Sequence, residues 1–173
     1  MMDGEEEPDS RGVRMSELRI GILTISQSCA VEDAEDITGR ALIDAVEGHD
    51  WLVISYHCCP DDEECVTASM VEICEADEAD VLLTVGGVGL NPTDVAPEVT
   101  ERISERIVPG LAEIIRAHAR ADDPGQALSR ATAGTHRETL IVNLSGEEAQ
   151  AVRSFDLIVD LLETAVGQIR SDQ

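Results

Sequence analysis

The stretch VLLTVGGVGLNPTDVAPE, residues 81–98, runs an unbroken apolar segment straight into glycines and then into a helix start. Val81-Leu82-Leu83-Thr84-Val85 shows no polar alternation, the pattern of a strand covered on both faces. Gly86, Gly87 and Gly89 leave the strand end without bulky side chains. Pro97 suits the first turn of a helix, where its missing N–H is not required. Strand, glycine loop and helix in this order form the repeating unit of a parallel α/β sheet.

Similar segments lie on either side. Leu18 to Ser26 (LRIGILTIS), Trp51 to Tyr56 (WLVISY) and Thr139 to Leu144 (TLIVNL) read as three further strands. Between them, apolar residues recur at helical spacing. Ile37, Ala41, Leu42, Ala45 and Val46 form one stripe behind a cap at Asp36 or Thr38. Val66, Met70, Ile73 and Cys74 form another. Val99, Ile103 and Ile107 share a face of the helix begun at Pro97, with Glu98 and Arg102 turned to solvent. Pro109-Gly110 interrupts that helix, and Leu111, Ile114, Ile115 and His118 start a new one. Residues 121–126 (ADDPGQ) read as a loop. Phe155, Ile158, Val159, Leu162, Val166 and Ile169 make a long closing stripe. The expected architecture is three-layer α/β/α with a mostly parallel, Rossmann-like central sheet. Residues 17–173 form one domain behind a disordered acidic tail, residues 1–16.

Charge narrows the partners. The 173-residue chain has 36 acidic and 12 basic residues, a net charge of −24, and all its basic residues are Arg. Such a surface repels nucleic acid and anionic membranes, which bind through Lys and Arg. Self-repulsion of this size needs screening, and at about 1 M salt the Debye length falls to about 3 Å. The composition therefore suggests a salt-loving organism. No apolar run reaches the roughly 18 residues of a membrane span, and the amino terminus lacks a signal-peptide pattern, so a cytoplasmic location is expected. The five cysteines form no CxxC pair, and the four histidines show neither HxH nor HExxH spacing. No serine stands in a GxSxG elbow, so acyl transfer has no support.

In an open parallel sheet, ligands bind beyond the carboxyl ends of the strands. That rule nominates Ser26 after the first strand, Asp61 after the second, Gly86 to Asp94 after the third, and Gly146 after the fourth. Backbone amides of Gly86-Gly87-Val88-Gly89 can face a common concavity and hold phosphate, although the same sequence also suits an empty turn. Pro92 stiffens the continuation and delivers the Asp94 carboxylate beside that nest. A carboxylate next to phosphate requires a cation between them, and Mg²⁺ held by one or two carboxylates meets that need. Asp61 suits a metal site, a solvated loop or a helix cap. Capping alone accounts for Asp36.

At this level of detail the chain resembles the MoaB/Mog family of molybdenum cofactor biosynthesis proteins. Residues 82–110 follow that family's strand-TTGGTG-xxPxDVTPE-helix-xPG pattern. Asp36 to Gly39 matches its DxxG helix start, residues 54–63 its strand ending in Pro-Asp, and Ser129-Arg130-Ala131 with residues 140–146 its SRA…LIxNLPG segment. The resemblance covers residues 18–170, and with the composition it points to a halophilic archaeon.

It implies a molybdopterin adenylyltransferase, which moves AMP from Mg·ATP to the terminal phosphate of molybdopterin and releases pyrophosphate. On that basis Asp61 and Asp94 are the catalytic and metal-holding acids. Gly86, Gly87, Val88, Gly89, Ser26, Asp36, Gly39, Asn143 and Gly146 contact substrate. The assembly implied is a homotrimer or a hexamer, and Arg130 or Arg137 is expected to offset substrate charge. The chain departs from the pattern at Gln27, where the family carries Asp, and at Val88, where it keeps a Thr hydroxyl. Ser145, Glu147 and Glu148 alter the NLPG loop. The alternative function is a molybdopterin carrier or scaffold without adenylyl transfer. A generic Rossmann-like binder is disfavoured, because Ser26-Gln27-Ser28-Cys29 stands where a GxGxxG fingerprint would lie.

Overall fold

A computed structural model of the chain describes residues 17–32, 34–76 and 78–171. The expected acidic tail therefore lies outside the described residues. Six strands form one sheet: β1 (Arg19–Ile25), β2 (Leu52–Cys59), β3 (Val81–Val85), β4 (Arg106–Ile107), β5 (Ala133–His136) and β6 (Thr139–Leu144). Their spatial order is β2-β1-β3-β6-β5-β4. The first four in that order are parallel, while β5 and β4 add on antiparallel. The helices are α1 (Gln27–Val31), α2 (Ile37–Glu47), α3 (Glu63–Glu75), α4 (Ala96–Ile103), α5 (Pro109–Asp122) and α6 (Glu148–Arg170).

Side-chain alternation across the pleat divides the core in two. Ile20, Ile22, Leu83 and Val142 face α2, α5 and α6, where Leu42, Ile115, Phe155, Ile158 and Leu162 meet them. Leu23, Ile25, Leu82 and Ile141 face α3 and α4, packing with Val66, Met70, Ile73 and Val99. This is the three-layer α/β/α arrangement. Burial of both faces explains why β1, β3 and β6 read so clearly as apolar runs.

Three expectations change. Strand β2 continues three residues past Tyr56, to Cys59. Helix α4 stops at Ile103, because Ser104 turns extended and the amide of Glu105 bonds to the carbonyl of Thr135. Ile107 therefore lies on β4, 44% exposed, and does not continue the helical stripe. Residues 124–128, expected as plain loop, wind into a short 3-10 helix capped by Asp123.

The hairpin of β5 and β6 anchors its turn through His136. Nδ1 lies 2.7 Å from the carbonyl of Ile103 and Nε2 lies 2.9 Å from Glu75, with Glu105 at 3.8 Å. Burial lowers the imidazole pKa, but the Ile103 carbonyl and the two carboxylates outweigh it and hold it raised. A raised folded value stabilises the protein fully below the unfolded value of about 6.5, and the gain disappears as pH climbs through the folded value. His136→Gln should therefore flatten the melting temperature profile above pH 6, by less than about 1 kcal/mol given the exposed carboxylates. An unchanged profile would rule this contribution out.

Candidate functional site

The strand order reverses between β1 and β3, since β2 flanks one and β6 the other. Crevices outside the carboxyl ends of such a pair bind ligands, because the crossing connections leave in opposite directions. Two concavities open there. One, of about 440 Å³, is lined by Gly86 to Asn91, Asp94, Gly125, Gln126, Leu128, Ser129, Ser145 and Gly146. The other, of about 290 Å³, is lined by Thr24, Ser26, Cys29, Asp36, Thr38 and Val85 among others. Gly86 and Gly146 border both.

The glycine loop owes its path to its residues. Gly86 and Gly87 have φ of +90° and +63°, a region that residues with a Cβ rarely occupy. A Cβ on Gly86 would also sit 2.6 Å from the carbonyl oxygen of Ile25. At Gly89 a Cβ would lie 2.7 Å from Asp94 Oδ2, so only glycine lets the carboxylate fold back over the loop. Asp94 accepts the amide of Asn91 at 2.8 Å, and its own amide donates to the carbonyl of Asn91 at 3.0 Å. The turn is thus closed from both ends. Val88, the departure from the family pattern, is only 8% exposed and packs with the α3/α4 core. The loop offers backbone to the concavity at that position.

Asp61 follows β2, yet it does not line the 440 Å³ concavity. Its carboxylate accepts the amide of Gln27 at 3.1 Å, joining the ends of β1 and β2 at the start of α1. Ser26 caps α1 through the amide of Cys29 and bonds Ser28 at 3.0 Å. Asp36 caps α2 through the amide of Gly39 at 2.9 Å, as its local sequence suggests. It also accepts the Tyr56 hydroxyl at 2.6 Å. Burial pushes the Asp36 carboxyl up, but hydrogen bonds from Tyr56, the amide of Gly39 and Cys58 hold it below the ordinary carboxylate range. Gly39 lies behind Asp36 and borders neither concavity.

Asn143 is placed differently from the expectation that it contacts substrate. It is 1% exposed. Its amide donates to Thr84 and Thr100 at 2.8 Å each, and its carbonyl accepts the amide of Thr132 at 3.2 Å. Every part of the side chain is engaged beneath the site. Gly146 does reach the site, 3.4 Å from Gly86 measured from where its Cβ would stand, and Thr38 donates to its carbonyl at 3.0 Å. Glu147 and Glu148 are exposed at the start of α6 and line neither concavity.

The expected charge offset by arginine also changes. Arg137 lies on the β5–β6 turn, at the opposite edge of the sheet, and pairs with Glu75 at 3.0 Å. Arg130 is bound to the glycine loop itself. The residues that the sequence did not nominate are Gly125, Gln126, Leu128 and Ser129. Their signal was weak: a Pro-Gly pair ahead of the SRA triplet.

Among the described residues, Asp94 is the one charged side chain lining the larger of these two concavities. Among the described residues no three His, Cys, Asp or Glu side chains gather where an ion could bind. A hard carboxylate oxygen beside a glycine-lined hollow fits Mg²⁺, provided that ligand phosphates complete its shell.

Comparison with known proteins agrees with this geometry. A family model described as "Probable molybdopterin binding domain" matches residues 21–164. The molybdopterin adenylyltransferase of Helicobacter pylori (strain ATCC 700392 / 26695) is 29% identical over 135 residues, 77% of each chain. That of Escherichia coli K12 is 26% identical over 154 residues, 84% of this chain and 76% of its own. The crystal structure of the molybdopterin biosynthesis enzyme MoaB from Thermus thermophilus superposes with a TM-score of 0.83 at 33% identity, covering 89% of this chain and 97% of that one. The matched span includes the glycine loop, both acids and the β6 loop, so this chain belongs to the molybdopterin-binding domain family of molybdenum cofactor biosynthesis proteins.

Proposed function

We propose that this chain is a molybdopterin adenylyltransferase acting in molybdenum cofactor biosynthesis. The observation that carries the reading is the hollow at the sheet's switch point, walled by Gly86, Gly87, Gly89 and Gly146 and bordered by the carboxylate of Asp94. Relatives that bear this name align across most of both chains. In the reaction, a terminal phosphate oxygen of the pterin attacks the α-phosphorus of ATP. The bond from that phosphorus to the bridging oxygen breaks, and pyrophosphate leaves.

Asp94 would hold Mg²⁺, which when bound neutralises phosphate charge. Gly87 and Gly89 would turn amides toward phosphate, where preorganised donors need no rearrangement as charge develops. The amide of Gly86 donates to the carbonyl of Leu144 at 3.1 Å, and Gly86 would serve by leaving the wall free of a Cβ. Val88 and Gly146 complete that wall. Asp61 would act with Asp94 by fixing the start of α1, where Ser26 and the Asp36 concavity receive the second substrate. Leu90 and Leu128, 66% and 62% exposed at the rim, would cover the flat faces of a heterocycle. The attacking phosphate is already anionic, so positioning does most of the work.

The finer setting follows the same reading. The protein is cytoplasmic and works as a homotrimer or hexamer, with Leu52, Ile54 and Tyr56 on the outer edge strand offering apolar surface for contacts. Among the described residues no helix is long and apolar enough to cross a membrane. The net charge of −24 suits a halophilic archaeon and opposes two anionic substrates.

Incubation with molybdopterin and Mg·ATP should therefore release pyrophosphate, at a rate about tenfold higher in molar salt than in dilute buffer. Equal turnover at low salt with the fold intact would remove the halophile reading. Tight pterin binding without pyrophosphate would assign the chain as a carrier instead.

A further inference from the structure

We infer that Arg130 is a positioning residue that holds Asp94 in place from behind the glycine loop. The inference rests on the adenylyl-transfer reading above. One residue is engaged at four points. The Arg130 amide donates to the carbonyl of Val88 at 2.9 Å and Nε to the carbonyl of Gly89 at 2.6 Å. Its other two nitrogens donate to the carbonyl of Asp94 and to the carboxylate of Glu98. The guanidinium therefore bridges the two ends of the turn that carries Asp94 and fastens that turn to α4.

The turn's own hydrogen bonds, between Asn91 and Asp94, make it rigid but do not attach it to the sheet. Among the described residues, the loop is tied at its first residue by the amide of Gly86, bonded to the carbonyl of Leu144 on β6 at 3.1 Å. Beyond that, the turn is attached by Arg130 and by the amide of Ala96, bonded to the carbonyl of Gly87 at 3.1 Å. Arg130 is itself held. Arg116 on α5 donates to the carbonyls of Ser129 and Ala131, at 2.9 Å and 2.7 Å, on either side of it. Two arginines thus link α5 to the loop in series. A planar fork with fixed directions can bridge two carbonyls and a carboxylate, whereas a Lys ammonium on the same stem cannot hold all three. Each guanidinium nitrogen is committed to the loop or to α4, so Arg130 acts on the reaction through the placement of Asp94.

The test uses the full chain with Arg130→Ala, Arg130→Lys and Arg116→Ala. Hydrogen exchange in the ligand-free protein reads loop attachment directly. Amides of Gly89, Leu90, Asn91, Thr93 and Asp94 should exchange about tenfold faster in Arg130→Ala, with β1, β3 and β6 unchanged. The value of kcat should fall about 100-fold, with KM for molybdopterin within about threefold, because a misplaced group loses rate before binding. Arg130→Lys should fall between, and added ethylguanidinium should restore part of the Arg130→Ala rate. Unchanged exchange at 89–94, or a change in KM alone, would overturn the inference; the latter would mean a direct phosphate contact. If Arg130→Ala fails to fold, folded Arg116→Ala must show the same loop loosening, and its absence counts equally against the idea. Full activity in Asp94→Asn would instead sink the reading of the site, leaving the exchange result to judge the clasp.

Discussion

Asp94→Asn should lower kcat for pyrophosphate release by about 10²–10³-fold, the usual effect of removing one electrostatic contact to a reacting phosphate. The substitution keeps shape and keeps an oxygen to accept the amide of Asn91, so the turn should survive. It removes only charge. Asp94 is half-buried on a surface loop, and away from special features such changes stay within about 0.5 kcal/mol of stability. The expected signature is thus a near-native melting curve with collapsed turnover. Asp61→Asn should also lose activity, but by a different route, since its carboxylate holds the first amide of α1. An Asp61→Asn, Asp94→Asn double variant that still released pyrophosphate at the native rate would end the assignment of both acids.

Asn143→Ala should destabilise the domain by about 3 kcal/mol, because three buried partners lose their bond at once and each unsatisfied group costs about 1–3 kcal/mol. The partners are Thr84 on β3, Thr100 on α4 and the amide of Thr132. Few single side chains join a central strand, a covering helix and the entry to a neighbouring strand. Against a total stability of about 5–15 kcal/mol the loss is large, and the melting temperature should drop by about 6–12 °C. Chemical denaturation measures it. Where the variant remains folded, KM for molybdopterin should stay near native, which a substrate contact would not allow. A loss below about 1 kcal/mol would mean that water replaces the amide and the hub is not needed.

How much was legible follows from what each residue needs around it. Strands β1, β3 and β6 were readable to within a residue or two, because burial on both faces demands uninterrupted apolar sequence. Strand β5, Ala133–His136, was not, since AGTH has neither run nor alternation. It is a strand because β6 on one side and β4 on the other supply its hydrogen bonds. Helix α4 was overrun for the same reason: Ile107 keeps the helical spacing, but the carbonyl of Thr135 captures the chain at Glu105. Asp36 was legible because capping is local, reaching only to Gly39.

The site divides along the same line. Glycines, a stiffening proline and a carboxylate within nine residues announce a loop built for an anion and its cation, because backbone freedom and local charge are properties of the chain itself. What Asn143, Asp61 and Arg130 do is decided at separations of 11 to 59 residues, by strand order and helix placement. Asn143 sits at the end of a strand in sequence and looks like a pocket residue; the crossing of α4 beneath the sheet makes it a buried hub. Arg130 looks like a free cation; the return of residues 129–131 beside the glycine loop commits its nitrogens. The sequence by itself determined the four parallel strands, the layers around them and the loop at their edge, since these rest on hydrophobic pattern and local backbone freedom. Only the tertiary structure decided which polar side chains face the ligand and which hold the loop in place, because hydrogen-bond partners are assigned by proximity in space.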